Sequence, residues 1–467
     1  MAKFALSDAS VVVIIGSGAG GGTLGNELAQ KGVKVVCLEA GPRLTLADIT
    51  NTGDMFAKLS WLDPREGSGD LDPNLPAWIC KTVGGTTVHW AGAALRFQPH
   101  EFKALTTYGH VPGANLDDWP VDYDDLAPYY DGAEDKMGVT GTHGIPRLPG
   151  SSNYKVLEYG ARKMGYKEVH TGNMAINSRE RDGRPACRQI GFCMSGCAIG
   201  AKWSTLYTEV PRAEATGNFE LRPESMVIRI NHDASGKVTG VVYADKDGTM
   251  HEQQARIVCV AGNSIESPRL LLNSASSKLP DGLANSSGQV GRNYMPHLTG
   301  AVYAVMPGEV NLHRGTQMAG IIRDESFFNP RRGFVAGYEL ETLPAFGLPG
   351  FPAYAKPGGW GREHARDIEA YRNVAGLWIV GEDMPQETNR VTLSRNVKDR
   401  FGMPVAHVHK RDHPNDIAMR EHAWKMSTAL CEAVGARKVY TRMPFSSTHK
   451  LGTCRQSASP GKGVCNG

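Results

Sequence analysis

An α/β fold with a doubly wound parallel sheet and more than one domain is what this sequence predicts, and three observations predict it. A strand, a glycine loop, a helix and a second strand follow one another in the first forty residues. A second strand–turn–helix, RIVCVAGNSIESPRLLLNS, occupies Arg256–Ser274. At 467 residues the chain is also too long for one ordinary core, because single cores stop growing near about 250–300 residues.

The opening segment, VVVIIGSGAGGGTLGNELAQKGVKVVCLEAGPR, justifies the first elements. Val11–Ile15 is a continuous apolar run, as in a parallel strand covered on both faces. Gly16, Gly18 and Gly21 then satisfy G-x-G-x-x-G. Gly16 permits the tight turn, Gly18 admits a pyrophosphate to the backbone, and Gly21 lets helix pack on strand. TLGNELAQKG reads as the helix, whose N-terminus faces the phosphates with free N–H groups. VKVVCLEAG reads as the next strand, and Glu39 at its end is placed to accept hydrogen bonds from a ribose diol. The ending Glu-Ala-Gly-Pro-Arg resembles that of flavoproteins, which favours FAD over NAD, with one Rossmann-like site and no second complete fingerprint.

Composition excludes several function classes. A net charge of +3, from 51 basic and 48 acidic residues, leaves no nucleic-acid footprint. No apolar run approaches the roughly 18 residues of a membrane-spanning helix. The N-terminal apolar run leads straight into glycines and reads as a buried strand rather than a signal peptide. Alone, such a chain is expected in the cytoplasm. Nine unevenly spaced cysteines do not suggest a disulfide framework.

Further along, HDASGKVTGVVYADKDGTMHEQQARIVCV reads as strands joined by turns at Ser235-Gly236 and Asp247-Gly248. His407 and His409 alternate along an apparent strand, so they could ligate a metal; the plainer reading is strand surface. PNDIAMREHAWKMSTALCEAVGA is a helix with Met419, Trp424 and Met426 as core. ETLPAFGLPGFPAYAKPGGWG, rich in Pro, Gly and aromatics, reads as a loop near a substrate entrance or partner surface.

Several segments in fixed order carry a resemblance. KTVGGTTVHWAGAALRF, DDWPVDYDDLAPYYDGAEDKMGV, VGRNYMPH, PQETNRVTLSRNVKDRFGMPV and SSTHKLGTCR follow one another from Lys81 to Arg455. In this order they resemble glucose–methanol–choline (GMC) oxidoreductases, and the likeness covers nearly the whole chain. Within that family the sequence is similar to catalytic subunits of bacterial gluconate 2-dehydrogenase, FAD-dependent glucose dehydrogenase and fructose dehydrogenase. The resemblance implies a GMC fold. Its FAD-binding domain would comprise residues 1–97, 183–298 and 436–467. A substrate domain with an antiparallel sheet would comprise 98–182 and 299–435. It also implies that the C-terminal end is truncated: relatives continue beyond this region with a last strand and an Asn or second His that completes the catalytic pair. In Met295–His297, a Met-Pro-His run stands where relatives commonly carry an acid before the His.

The resemblance places His449 as the catalytic histidine. Histidine suits the base that accepts a hydroxyl proton while flavin accepts the hydride. Gly84, Gly85 and His89 fall in the segment along the flavin ring, and His89 is the covalent attachment point in some relatives. Val227 and Gly262 complete the candidate cofactor contacts.

Cys187, Cys193 and Cys197 fall in the stretch CRQIGFCMSGCAIG. A zinc site would lack its fourth ligand, and a disulfide with one free thiol would need an oxidising compartment. Three thiolates suit an iron–sulfur cluster such as [3Fe–4S], and the spacing resembles that of the dehydrogenase subunits.

The implied activity is a dehydrogenase oxidising a hydroxyl of a sugar, sugar acid or glycoside, with electrons leaving through the cluster to a cytochrome or quinone. An oxygen-using oxidase without a cluster and a non-catalytic FAD-binding subunit are the alternatives. The implied partners are a small signal-bearing subunit and a cytochrome c subunit. The implied location is periplasmic, at the membrane through those partners.

Overall fold

The computed structural model describes residues 3–52, 54–343, 359–443 and 447–466. Four strands, Phe219–Arg222, Val35–Leu38, Val12–Ile15 and Ile257–Val260, form an all-parallel sheet in that order. Both faces are covered, as the unbroken apolar run requires. Val12 and Ile14 pack with Val35, Cys37 and Phe219, on the side of helices Ala19–Gln30 and Glu209–Ala215. Val13, Ile15 and Leu38 pack against Val241 and Tyr243 of an antiparallel meander, Met226–His232, Val238–Ala244 and Met250–Gln254. The predicted turns at Ser235-Gly236 and Asp247-Gly248 join those strands.

A second, six-stranded sheet is antiparallel throughout. Its order is Lys438–Arg442, Leu298–Val305, Val374–Gly381, Tyr338–Thr342, Gly320–Ile322 and Val169–Thr171. Lys438–Arg442 lies in the stretch 436–467 that the sequence reading gave to the nucleotide domain; in the structure this strand pairs with Leu298–Val305. One face of the sheet, including Val302, Leu340, Leu377 and Ile379, shares a core with helices Ser152–Lys163 and Pro414–Ala433. Met419 is fully buried there. The other face turns Glu339, Glu341, Trp378 and Val380 toward a cavity.

His407 and His409 lie on the strand Pro404–Lys410, and both contact the Ser68 hydroxyl at 2.9 Å, which accounts for their spacing without a metal. Most of the Pro- and Gly-rich loop expected at a substrate entrance, residues 344–358, lies outside the described residues. Among the described residues, no helix is long and apolar enough to cross a membrane.

Gly21 sets the seat of the first helix on the sheet. A Cβ there would lie 1.9 Å from the Gly16 carbonyl oxygen. Gly21→Ala should therefore lift the helix, costing about 1–3 kcal/mol, which urea unfolding of the variant will measure.

Candidate functional site

The glycine loop forms one end of the site. Gly16 adopts φ +97°, and a Cβ on it would meet the Ala261 carbonyl oxygen at 2.6 Å. Gly18 and Gly85 face each other so closely that a Cβ on Gly85 would lie 2.9 Å from the Gly18 Cα. Helix Ala19–Gln30 begins with no side-chain cap and no acid in its first turn, leaving its N–H groups free for an anion. A cavity of about 300 Å³ opens there, lined by Gly16, Gly18, Glu39, Gly85, Val227 and Gly262.

Gly21 and Gly84 act one layer back. Gly84 donates its N–H to Ser17 Oγ at 3.0 Å, and Ser17 Oγ donates to Glu39 Oε2 at 2.7 Å. The Glu39 carboxylate also accepts from the N–H groups of Ser17, at 3.0 Å, and Gly41, at 2.9 Å. Burial pushes its carboxyl up, and these donors oppose that shift. Glu39 thus holds the loop as well as bordering the cavity.

Thr86 borders both this cavity and a larger one of about 850 Å³. The short turn Gly85–Val88 leads directly into His89, whose ring is fully buried and stacks on Trp78 with centroids 4.0 Å apart. Neither ring nitrogen of His89 has a hydrogen-bond partner. Burial, reinforced by the charges of Lys202 and Lys450, pushes His89 down to about 3, so the ring is neutral. Buried imidazole nitrogens are rarely left unpaired. This pair, with the glycine cradle and the uncapped helix, fits a flavin nucleotide lying across Thr86.

The two histidines at the far side come together through backbone pairing. Met295 and Leu451 exchange N–H···O bonds at 3.2 and 2.8 Å in an antiparallel bridge. Counting two residues outward on each side places His297 opposite His449, and their Nδ1 atoms are 3.1 Å apart. Gly452 makes the approach possible: at φ +74°, a Cβ would fall 1.8 Å from the Asn293 carbonyl oxygen. Desolvation holds His297 near 3 and His449, which opens onto the cavity, near 4. Two neutral imidazoles meeting through Nδ1 require one to donate N–H and the other to accept. If His449 donates, its Nε2 keeps a lone pair for a substrate proton.

Cys187, Cys193 and Cys197 are free, half-buried thiols packed against one apolar cluster that includes Leu148, Met174 and Ile176. All nine cysteines are unpaired. The three Sγ atoms do not all fall within 4.8 Å of one another. That spread is wide for a single ion with Zn–S bonds of about 2.3 Å.

Buried Lys202 joins this loop to the His89 segment. Its ammonium donates to the carbonyl oxygens of Val88, Trp90 and Cys193 at 3.0, 2.5 and 2.5 Å. Desolvation lowers Lys202 to about 8, opposed by Cys193 and Cys197.

Sequence reasoning named His449 and His89, which line the larger cavity, Gly16, Gly18, Gly85 and Gly262 around the smaller one, and the three cysteines, which line neither. It noted His297 within its motif but gave it no role, and it missed Lys202, Lys450 and Glu341. The Met-Pro-His run was the available signal for His297. Nothing local marked the lysines.

Family models described as GMC oxidoreductase match residues 19–299 and, for the C-terminal part, 385–467. The chain is 33% identical to the 2-methyl-1,2-propanediol dehydrogenase of Mycolicibacterium austroafricanum, covering 98% of this chain and 88% of that one. It is 32% identical to the fructose dehydrogenase large subunit of Gluconobacter japonicus, covering 84% and 78%. Among solved structures, the pyridoxine 4-oxidase of Mesorbium loti superposes with a TM-score of 0.66 at 17% identity, covering 98% of this chain and 90% of that one.

The neutral His89 couples protonation to stability. The unfolded chain takes up a proton near pH 6.5, whereas the folded ring resists it down to about 3. The unfolded state therefore binds more protons in that window, and stability should fall as pH drops from 6.5 toward 3. Urea midpoints measured across this range should vary less steeply in His89→Gln.

Proposed function

The chain belongs to the GMC oxidoreductase family, which binds FAD and acts on CH–OH groups, and we propose that it is an FAD-dependent dehydrogenase oxidising a hydroxyl of a sugar, sugar acid or glycoside. The observation that carries this reading is the His297–His449 pair opening into a cavity that meets the nucleotide cradle at Thr86.

Gly16, Gly18, Gly85 and the N-terminus of helix Ala19–Gln30 would hold the pyrophosphate, and Trp78 and His89 would lie against the ring. When bound, FAD supplies the hydride acceptor at N5. The chain's own contribution is the proton. With its Nδ1–H donated to His297 Nδ1, His449 offers Nε2 to the substrate hydroxyl and takes its proton as the hydride leaves carbon. Low basicity in the resting state keeps Nε2 unprotonated at neutral pH. The unpartnered nitrogens of His89 support covalent attachment of the flavin there.

Cys187, Cys193 and Cys197 would ligate an iron–sulfur cluster, [3Fe–4S] in our reading. Three free thiols packed against one apolar cluster are what supports it. Such a cluster would pass electrons singly to a cytochrome or quinone. That route implies a cytochrome c subunit and a small signal-bearing subunit, with the assembly in the periplasm. One curated relative is itself named a large subunit.

Turnover with an artificial electron acceptor, screened over sugars, sugar acids, glycosides and diols, tests the activity. His449→Ala should lower it at least about 100-fold, the scale of a positioned base. Undiminished turnover would remove His449 from the chemistry. Anaerobically purified protein should show broad absorbance and an EPR signal beyond the flavin's, both lost in Cys193→Ser. A preparation with flavin features alone, consuming oxygen, would make it an oxidase. Acid precipitation should leave the yellow colour in the pellet; colour wholly in the supernatant would exclude the bond to His89.

A further inference from the structure

The substrate cavity has an acidic wall that hydroxyl oxidation does not explain. On the strand Tyr338–Thr342, residues alternate, so Glu339 and Glu341 point to the same side, about 7 Å apart along the strand. Both line the 850 Å³ cavity. Their cross-strand partners Val380 and Trp378 line it too, as does Glu382 just beyond. Glu382 lies against Glu101, a fourth carboxyl on this wall.

Glu341 is the informative member. It is only 4% exposed, yet among the described residues its carboxylate has no hydrogen-bond or ion-pair partner. Its one electrostatic neighbour is Glu339, another acid, and burial drives its carboxyl upward. On this wall Arg323 pairs with Glu339 at 3.5 Å. Arg96, elsewhere on the cavity, is already committed to Glu134 and Asp131. Burying a carboxyl without a partner is costly, and a ligand that supplies the partner recovers that cost. Trp378, beside Glu341 in the register, adds an aromatic ring, and such rings attract cations within about 6 Å.

We propose that this wall is a subsite for a protonated amine, so that the enzyme's preferred substrate is an amino alcohol or amino sugar. Its ammonium would sit at Glu339, Glu341 and Trp378 while the reacting hydroxyl faces His449. The inference rests on the alcohol-oxidising reading above and narrows it: sugar acids, carrying a negative charge, are disfavoured by the same wall.

The test is binding to the FAD-loaded protein, followed by flavin difference spectra, for matched probes: glucosamine against glucose and gluconate, and 1-amino-2-propanol against 1,2-propanediol. In at least one set the amine should bind 10-fold or more tighter than its hydroxyl counterpart, with gluconate weakest. Glu341→Gln should shrink the amine-to-hydroxyl ratio severalfold. Amines binding no better than hydroxyl compounds in both sets would overturn the proposal, as would a ratio unchanged in Glu341→Gln. Dye reduction with the same probes keeps the two readings apart. Turnover without amine preference sinks this inference alone, whereas amine binding with no oxidation of any alcohol sinks the activity.

Discussion

Everything at the chemical end of this molecule depends on a short backbone ladder between Gly291–Met295 and Leu451–Thr453. Gly291 donates to Thr453, Thr453 to Arg292, and Leu451 and Met295 to each other. More than 150 residues separate the two histidines in sequence, so closing that loop is costly. Backbone bonds fix their register and Gly452 lets the chains approach. The histidines meet because two strands of backbone do, and their side chains contribute little to the meeting.

Around that ladder the two sheets divide the work. The parallel sheet is covered on both faces, so the nucleotide cradle can sit only at the strand ends, where glycines expose backbone N–H groups. The antiparallel sheet is covered by helices on one face only. Its other face supplies the broad wall of the substrate cavity. The seam between the sheets is where a cofactor ring and an alcohol would meet.

What the sequence disclosed follows from how local each signal is. The glycine fingerprint, the Ser-Gly and Asp-Gly turns and the helix Pro414–Ala433 are encoded within a dozen or two residues, and they were readable. His449 was readable only through its neighbours in a motif. His297 took its role from a pairing with Leu451's segment, which no local pattern announces. Glu339 and Glu341 illustrate a subtler limit. Their alternation with Leu340 reads as an ordinary half-buried strand with its polar face toward water. The face they share borders an internal cavity, and periodicity cannot distinguish that from solvent.

Lys202 has a consequence for how two distant segments hold together. One ammonium grips carbonyls of Val88, Trp90 and Cys193 together. The His89 segment and the cysteine loop are therefore tied to each other by one side chain. Strain in either segment is handed to the other through a single buried cation.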